Sequence, residues 1–263
     1  MNDQSILVEA DGPVGILTLN RGDRHNAFDD VVIDELTRGL DELEASYDVR
    51  VVVLSAAGRS FCAGADLNWM KRAAGYSEEE NLAEARRLAA LMRRLNGLKT
   101  PTVARVQGAA YGGGVGLVAC CDIAIAASGA HFALTEVGLG LIPAVISPYV
   151  VARMGQTHAR RYFLTAERFD AAEACRIGLV HEVVPDERGL DEGVAKVVAA
   201  LLRNGPRAMA AAKSLVAQVA GQPITAALID GTAHAITRQR ASAEGKEGVD
   251  AFLSKRHPNW ILE

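Results

Sequence analysis

Two glycine-rich segments have the residue types and the spacing to hold a negatively charged oxygen. The first covers residues 60–67 (SFCAGADL), and the second covers residues 108–116 (GAAYGGGVG). Glycine and alanine let a backbone N–H approach a ligand that a larger side chain would keep away. Two converging N–H groups, one of them at a helix N-terminus, stabilise an oxygen that gains negative charge during a reaction. The segments therefore predict chemistry through an oxyanion.

Glu136 is the acid that we expect beside this oxyanion site. It lies in an apolar, glycine-rich segment, residues 134–140 (LTEVGLG), where a carboxylate is either a helix cap or a partly desolvated acid. Desolvation raises the pKa of a carboxyl group toward the range that a general acid or base needs near neutral pH. The rival carboxylates are Asp66, which we expect mainly to cap a helix, and Asp122, which we expect to make a structural hydrogen bond.

Three common catalytic motifs fail on spacing. A dinucleotide fingerprint fails because Leu117 stands where its third glycine is needed. A P-loop fails because Glu247 follows the only Gly-Lys pair that could open one. A nucleophile elbow fails because Cys62, and not glycine, follows Ser60 by two residues. Phosphate transfer and serine hydrolysis are therefore not favoured.

The composition is that of an ordinary folded, soluble protein. Of the 263 residues, 49% are hydrophobic and 23% are charged, and a net charge of −4 offers no general attraction to nucleic acid or to an anionic membrane. The four cysteines fit neither a zinc template nor a disulfide framework. The N-terminus is polar, and no apolar run approaches the ~20 residues that span a bilayer. We expect a cytoplasmic protein with no metal.

Hydrophobic periodicity predicts alternating strands and helices in the first two thirds of the chain. Strands are predicted over residues 6–9, 14–19, 51–54, 102–106, 123–126, 131–134 and 180–184. Asp30 is the predicted cap of a helix whose apolar face is Ile33, Leu36, Leu40 and Leu43. Ser77 and Glu80 form a capping-box pattern for a helix that turns six residues inward, namely Leu82, Ala85, Leu88, Ala89, Met92 and Leu95.

The remaining predicted elements are helical. Helices are expected from about Gly114 to Cys121, from Asp170 to Gly178, from about Gly189, and from Pro206. The tail, residues 224–263, is predicted to be helical with a polar interruption at residues 242–248. This alternation predicts an α/β core, and the helical final third predicts an appended layer used for assembly.

The chain resembles the crotonase superfamily, also called the enoyl-CoA hydratase/isomerase family, over nearly its whole length. The resemblance rests on residues 20–21 (NR) and 26–28 (NAF), both glycine-rich segments, residues 121–122 (CD) and residues 172–184. It implies a spiral of ββα repeats, with a core over residues 1–203 and a helical region over residues 204–263 that packs homotrimers or dimers of trimers. It also implies an acyl-CoA substrate and no separate cofactor, because coenzyme A is part of that substrate.

The same resemblance implies the catalytic roles. Ala63 and Gly113 match the two oxyanion-hole positions, whose N–H groups hold the thioester carbonyl. Glu136 matches one of the two glutamates that the family's hydratases use, and Gly116 stands where the other is expected. This departure argues against two-glutamate hydration and leaves open a Δ3,Δ2-enoyl-CoA isomerase that uses Glu136 alone.

Residues 65–70 (ADLNWM) and 143–148 (PAVISP) carry a narrower resemblance. They are similar to bacterial methylglutaconyl-CoA hydratases of leucine breakdown and to isohexenylglutaconyl-CoA hydratases of acyclic terpene breakdown. This likeness implies hydration of a branched enoyl-CoA such as 3-methylglutaconyl-CoA through a thioester enolate. A non-catalytic acyl-CoA-binding scaffold is the alternative from another class.

Likeness to the family also implies the substrate contacts. The acyl site would include Ala65, Asp66, Leu67, Trp69, Met70 and Gly116, although Trp69 and Met70 are equally plausible as core residues. Contacts to the CoA nucleotide would come from Arg24, Phe252 and Lys255. A distal carboxylate on the acyl group needs a cation or several N–H donors, and the candidate cations are Lys71, Arg72 and Arg153.

Overall fold

A computed structural model describes residues 4–261. The larger of its two sheets has the strand order β1 (Ile6–Asp11), β2 (Val14–Leu19), β3 (Val51–Ala56), β5 (Thr102–Val106), β7 (Ile123–Ala127) and β10 (Glu182–Val184). Strand β1 pairs antiparallel with β2, and the other neighbours pair parallel. The smaller sheet has the order β4 (Ser60–Cys62), β6 (Ala109–Tyr111), β8 (His131–Ala133) and β9 (Phe169–Asp170).

Ten α-helices lie among the described residues. They are α1 (Asp30–Ala45), α2 (Leu67–Ala73), α3 (Glu78–Asn96), α4 (Gly113–Cys120), α5 (Ser147–Thr165), α6 (Ala171–Arg176), α7 (Glu187–Leu202), α8 (Pro206–Val219), α9 (Ala226–Ala241) and α10 (Ala243–Leu253). No helix in this part of the chain is both long enough and apolar enough to cross a membrane.

Successive ββα units contribute strands to both sheets. The predicted α/β architecture and the ββα repeat implied by the family resemblance are therefore confirmed. The pairs β3–β4, β5–β6 and β7–β8 each place their first strand in the larger sheet and their second in the smaller one. Because β4, β6 and β8 pair in parallel, the loops that follow β4 and β6 come out at the same edge. This edge positions the candidate site.

The larger sheet is covered on both faces. On strand β3, Val52 and Leu54 belong to the main core, and Val51 and Val53 belong to a second core shared with α7. The continuous apolar run of β3 is the pattern expected for a parallel strand buried on both sides. The face of α1 that was predicted from its spacing is buried as expected.

Three local predictions are wrong. Asp29, and not Asp30, caps α1, because the Asp29 carboxylate accepts the Val32 N–H at 3.1 Å. The first half of α3 is less buried than predicted, since Leu82 and Ala85 are exposed. The predicted interruption at residues 242–248 shrinks to Ser242, whose hydroxyl accepts the Gly245 N–H at 3.0 Å and starts α10.

The predicted capping box on α3 is confirmed. The Ser77 hydroxyl accepts the Glu80 N–H, and the Glu80 carboxylate accepts the Ser77 N–H at 2.7 Å. Asp122 makes structural hydrogen bonds, as predicted, to the N–H and hydroxyl of Thr102 at 2.8 and 3.0 Å. It also pairs with Lys213 of α8 at 2.7 Å and so ties the C-terminal helices to the core.

Candidate active site

The two glycine-rich turns touch each other at the edge of the smaller sheet. Gly64 has φ +90°, and a Cβ added to it would stand 3.0 Å from the Tyr111 carbonyl oxygen and 3.9 Å from the Gly113 nitrogen. A larger residue would be strained there by its backbone conformation and crowded by the second turn. The close approach that the glycines predicted is therefore present.

Each glycine of the second turn makes room for a different neighbour. A Cβ on Gly113 would overlap the Phe28 ring, and one on Gly114 would overlap the Cys62 carbonyl oxygen. A Cβ on Gly112 would lie 3.1 Å from Oε1 of Glu136. The turn thus brings the start of α4, the first turn and the Glu136 carboxylate together.

The N–H of Ala63 is not available to a ligand, so its prediction as an oxyanion donor is wrong. It already donates to the His25 carbonyl oxygen at 2.9 Å. The free N–H of the first turn belongs to Ala65. The bonds Phe28 N–H to Gly64 O and Asp66 N–H to Phe28 O flank Ala65 and leave its own N–H without a partner among the described residues.

Gly113 supplies the second free donor. It is the first residue of α4, so its N–H has no intrahelical partner, and the positive end of the helix dipole lies at this point. Ala65 and Gly113 both line the same cavity. The pair of N–H groups needed for an oxyanion is therefore Ala65 and Gly113.

That cavity has a volume of about 480 Å³ and is walled mainly by apolar side chains. Its lining comprises Phe28, residues 63–65, Leu67, Trp69, Met70, Ala85, Leu88, Gly112, Gly113, Thr135, Glu136, Leu139 and residues 141–146. Within the described chain, Glu136 is the only titratable side chain among these lining residues. The cavity can thus receive an apolar group beside a single acid.

Glu136 begins a short 3-10 helix, Glu136–Leu139, which is separated from the end of β8 at Ala133 by two residues. Its Oε2 atom is buried and has no hydrogen-bond partner among the described residues. Burial away from water raises the pKa of Glu136 above its ordinary value. Glu136 is therefore a partly desolvated acid, one of the two alternatives that its sequence context left open.

Gly116 does not line the cavity, although the sequence placed it among the substrate contacts. It lies on α4 behind Ile146, where an added Cβ would overlap the Ile146 side chain and stand 3.3 Å from Cε of Met92. Ile146 itself lines the cavity. The space around position 116 is thus filled by apolar side chains and contains no second acid.

Helix α2 provides the predicted acyl-site residues. Leu67, Trp69 and Met70 line the cavity. Asp66 does not; it caps α2, as its flanking sequence predicted, by accepting the N–H groups of Asn68 and Trp69 at 2.8 and 3.2 Å.

The cations predicted for a distal carboxylate lie elsewhere. Arg72 pairs with Asp30 at 2.7 Å. Arg153 donates to the carbonyl oxygens of Ala119, Cys121 and Asp122, so it has a structural role. Lys71 is exposed on α2 and does not line the cavity.

The residues predicted to bind the CoA nucleotide are all exposed and lie outside the cavity lining. Arg24 ends a 3-10 helix, Gly22–Arg24, that precedes α1, and its Nε lies 3.9 Å from the Asp23 carboxylate. Phe252 is 82% exposed at the end of α10, and Lys255 follows it. Among residues 4–261, no three His, Cys, Asp or Glu side chains lie close enough together to hold a metal ion.

Sequence reasoning missed Ile146 and Phe28 as wall residues. A signal for Ile146 was present, because residues 143–148 carry the narrower resemblance and position 116 departs from the family pattern in the same chain. Only the fold shows that Ile146 and position 116 are in contact. Phe28 carried no such signal.

The chain is similar in sequence and in structure to enoyl-CoA hydratases. The family model for enoyl-CoA hydratase/isomerase matches residues 9–262. The crystal structure of an enoyl-CoA hydratase from Shewanella pealeana superimposes with a TM-score of 0.95 at 45% identity and covers 98% of this chain and 97% of that chain.

Two curated relatives are also named as hydratases of CoA thioesters. The short-chain-enoyl-CoA hydratase of Clostridium acetobutylicum is 33% identical over 263 residues, which is 97% of each protein. The 2,3-dehydroadipyl-CoA hydratase of Escherichia coli is 30% identical over 256 residues, which is 97% of this chain and 98% of that protein. This chain belongs to the enoyl-CoA hydratase/isomerase family.

Proposed function

We propose that this protein is an enoyl-CoA hydratase that works with one acid, Glu136. The observation that carries the proposal is the arrangement of one desolvated carboxylate beside two free N–H groups in an apolar cavity. Ala65 and Gly113 would donate to the thioester carbonyl oxygen. This is the atom on which negative charge develops when a nucleophile adds to C3 of an enoyl thioester.

A single carboxylate can carry out both proton transfers that hydration requires. Ionised Glu136 takes a proton from water while the water oxygen bonds to C3; the electron pair of the C2–C3 double bond shifts to C1–C2, and the carbonyl π pair moves onto the thioester oxygen. The enolate then collapses, and C2 takes the proton back from the neutral Glu136 carboxyl. Water has added across the double bond, and Glu136 is again ionised. The raised pKa of Glu136 makes its carboxylate a stronger base than an ordinary one.

For the acyl group we propose a branched enoyl chain, with 3-methylglutaconyl-CoA as the first candidate. The apolar cavity would take the methyl branch. The wall of residues 144–146 leads into the N-terminus of α5, where the N–H groups of Val145 and Ile146 have no partner among the described residues. These donors at the positive end of a helix would favour a distal carboxylate in place of a cation. One relative is named for a dehydroadipyl thioester, whose acyl chain also ends in a carboxylate.

A Δ3,Δ2-enoyl-CoA isomerase is the second candidate. The position of the second hydratase glutamate is occupied here by Gly116, and Ile146 fills the space where its side chain would stand. One base is enough to move a proton between C2 and C4. The two reactions differ in substrate: the isomerase acts on a 3-enoyl-CoA, and the hydratase does not.

We also propose that the protein assembles as a homotrimer or a dimer of trimers through its C-terminal helices. Helix α9 has no buried residue, and Val216, Ile229 and Ile236 of α8 and α9 are about half exposed or more. Such an apolar surface on a single chain is typical of a subunit contact.

The test is the absorbance of the enoyl thioester with three substrates. With 3-methylglutaconyl-CoA and crotonyl-CoA, hydration lowers the absorbance; with a 3-enoyl-CoA, isomerisation raises it. We expect loss of absorbance, fastest with the branched substrate, and a fall of about 10²–10⁴-fold in Glu136→Gln. Turnover of the 3-enoyl-CoA alone would establish the isomerase, and tight binding with no turnover of any substrate would establish the scaffold.

A further inference from the structure

Helix α2 forms the outer wall of the acyl cavity but has no buried residue of its own. Its side chain Trp69 packs against the main core, and polar contacts hold the helix at further points along its length. At its start, Asp66 faces Arg21 at 3.6 Å, and near its end Arg72 pairs with Asp30 at 2.7 Å. None of these four side chains lines the cavity.

A third contact holds a side chain that does line the cavity. The indole Nε1–H of Trp69 donates to Oε2 of Glu84, on α3, at 2.9 Å. A hydrogen bond to a charged acceptor is stronger than one between neutral groups. Glu84 itself is not among the lining residues, so it meets the substrate only through Trp69.

Glu84 is held in orientation by its other oxygen. Oε1 of Glu84 pairs with Arg87 at 3.1 Å, and Arg87 also pairs with Asp34 of α1. The side chain of Glu84 is 20% exposed, whereas the side chains of Arg87 and Asp34 are 39% and 53% exposed, so water competes less for Glu84 than for the outer pair. Oε1 of Glu84 is thus linked through Arg87 to α1, and Oε2 accepts the hydrogen bond from Trp69.

The wall that Trp69 forms reaches the oxyanion site. The Trp69 ring is tilted by 53° against the Phe28 ring, with centroids 6.5 Å apart. Phe28 lies directly against the Cα of Gly113, one of the two oxyanion donors. A change in the position of Trp69 would therefore alter the cavity beside the reacting thioester.

We propose that Glu84 is a positioning residue that sets the width of the acyl cavity. Its carboxylate fixes the indole of Trp69 against the acyl group and acts on no reacting atom. The proposal rests on the acyl-CoA function proposed above, so its test includes one measurement that needs no turnover.

The first measurement is the fluorescence of Trp69. The chain has two tryptophans, and in a Trp260→Phe background the emission comes from Trp69 alone. We expect Glu84→Ala to shift this emission to longer wavelength and to increase quenching by acrylamide. Glu84→Gln should keep the unaltered spectrum, because its amide oxygen accepts the same hydrogen bond. Glu79→Ala, an exposed carboxylate on the same helix, is the matched control.

The second measurement compares kcat/KM for 3-methylglutaconyl-CoA and crotonyl-CoA. We expect Glu84→Ala to lower the value for the branched substrate about tenfold relative to crotonyl-CoA, which corresponds to ~1.4 kcal/mol of selectivity. Glu84→Gln should restore the ratio.

The positioning role is overturned if Glu84→Ala matches Glu79→Ala in fluorescence, or if both substrates lose rate equally. It is also overturned if Glu84→Gln loses kcat as severely as Glu136→Gln, since Glu84 would then act on the reaction itself. Absence of turnover in the unaltered protein would count against the proposed function alone. In that case the fluorescence still decides whether Glu84 fixes Trp69, and affinities for the two thioesters replace the kinetic ratio.

Discussion

Ile146 occupies the space that any side chain at position 116 would need. Its Cβ lies 2.9 Å from where a Cβ on Gly116 would stand, and its Cγ2 lies closer still. The absence of a second glutamate is therefore built into the packing between α4 and the cavity wall. It follows that Glu136 is the one acid that lines the cavity among the described residues.

This packing predicts that Gly116→Ala destabilises the protein. The added methyl group would press on Ile146 and on Met92, which are both buried. Overpacking of this kind costs about 1–3 kcal/mol in the free energy of unfolding, measured by urea denaturation. Gly129→Ala is the matched control, because nothing lies within 4 Å of the Cβ it would add. Ile146→Ala in the Gly116→Ala background should recover part of the loss. Equal stability of the Gly116→Ala and Gly129→Ala variants would show that the contact is not tight.

The reassignment of the oxyanion donor from Ala63 to Ala65 is testable by amide NMR. When a non-reactive acyl-CoA thioester binds, we expect the amide proton signals of Ala65 and Gly113 to move downfield, because each gains a hydrogen bond. The Ala63 signal should stay close to its place, since its N–H donates to His25 throughout. A downfield shift at Ala63 with none at Ala65 would reverse the assignment.

Glu136 should lower the stability of the fold at neutral pH. Its pKa in the folded chain lies above its ordinary value of 4.5 because burial disfavours the charged form. Between these two values the folded chain holds a proton that the unfolded chain has lost, so stability falls as pH rises through this window. We expect Glu136→Gln to have a higher Tm than the unaltered protein at pH 8, with the difference vanishing below pH 4.5. Exposed Glu79→Gln is the control; a lower Tm for Glu136→Gln at pH 8 would contradict the desolvation.

The C-terminal helices should carry the subunit contact. Ile229 and Ile236 lie seven residues apart, so they share one face of α9. We expect light scattering to give a mass of three or six chains for the unaltered protein and a smaller mass for the double variant Ile229→Glu and Ile236→Glu. A mass of one chain for the unaltered protein would contradict the proposed subunit contact.

Much of the fold follows from periodicity and turn residues. The strand of residues 102–106 and the Ser77 cap were predicted at the right positions because the local sequence determines them. Leu82 was misplaced because periodicity shows which side of a helix is apolar but not how far along the helix a neighbour extends. The interruption at residues 242–248 was predicted too long because one cap, Ser242, is enough to separate two helices.

The sequence predicted the acid of the candidate site, Glu136, but only one of its two N–H donors, Gly113. Glu136 stood out because a carboxylate in an apolar segment is either a helix cap or a partly desolvated acid. Ala63 and Ala65 have the same side chain, and only the hydrogen bond from Ala63 to His25 distinguishes their N–H groups. Arg153 was a candidate cation by charge alone, and its carbonyl partners come from α4 and the residues after it, which no spacing rule relates to it.

The pH dependence of kcat/KM tests most directly whether one acid is enough. If Glu136 alone takes the proton from water and returns it to C2, kcat/KM with 3-methylglutaconyl-CoA should fall as pH drops through the raised pKa of Glu136. It should remain level above that pKa, because the ionised form is the active one. The Glu136→Gln variant should lack this acidic limb. A bell-shaped profile, whose alkaline limb belongs to the enzyme and not to the substrate, would reveal a second catalytic acid and contradict the account.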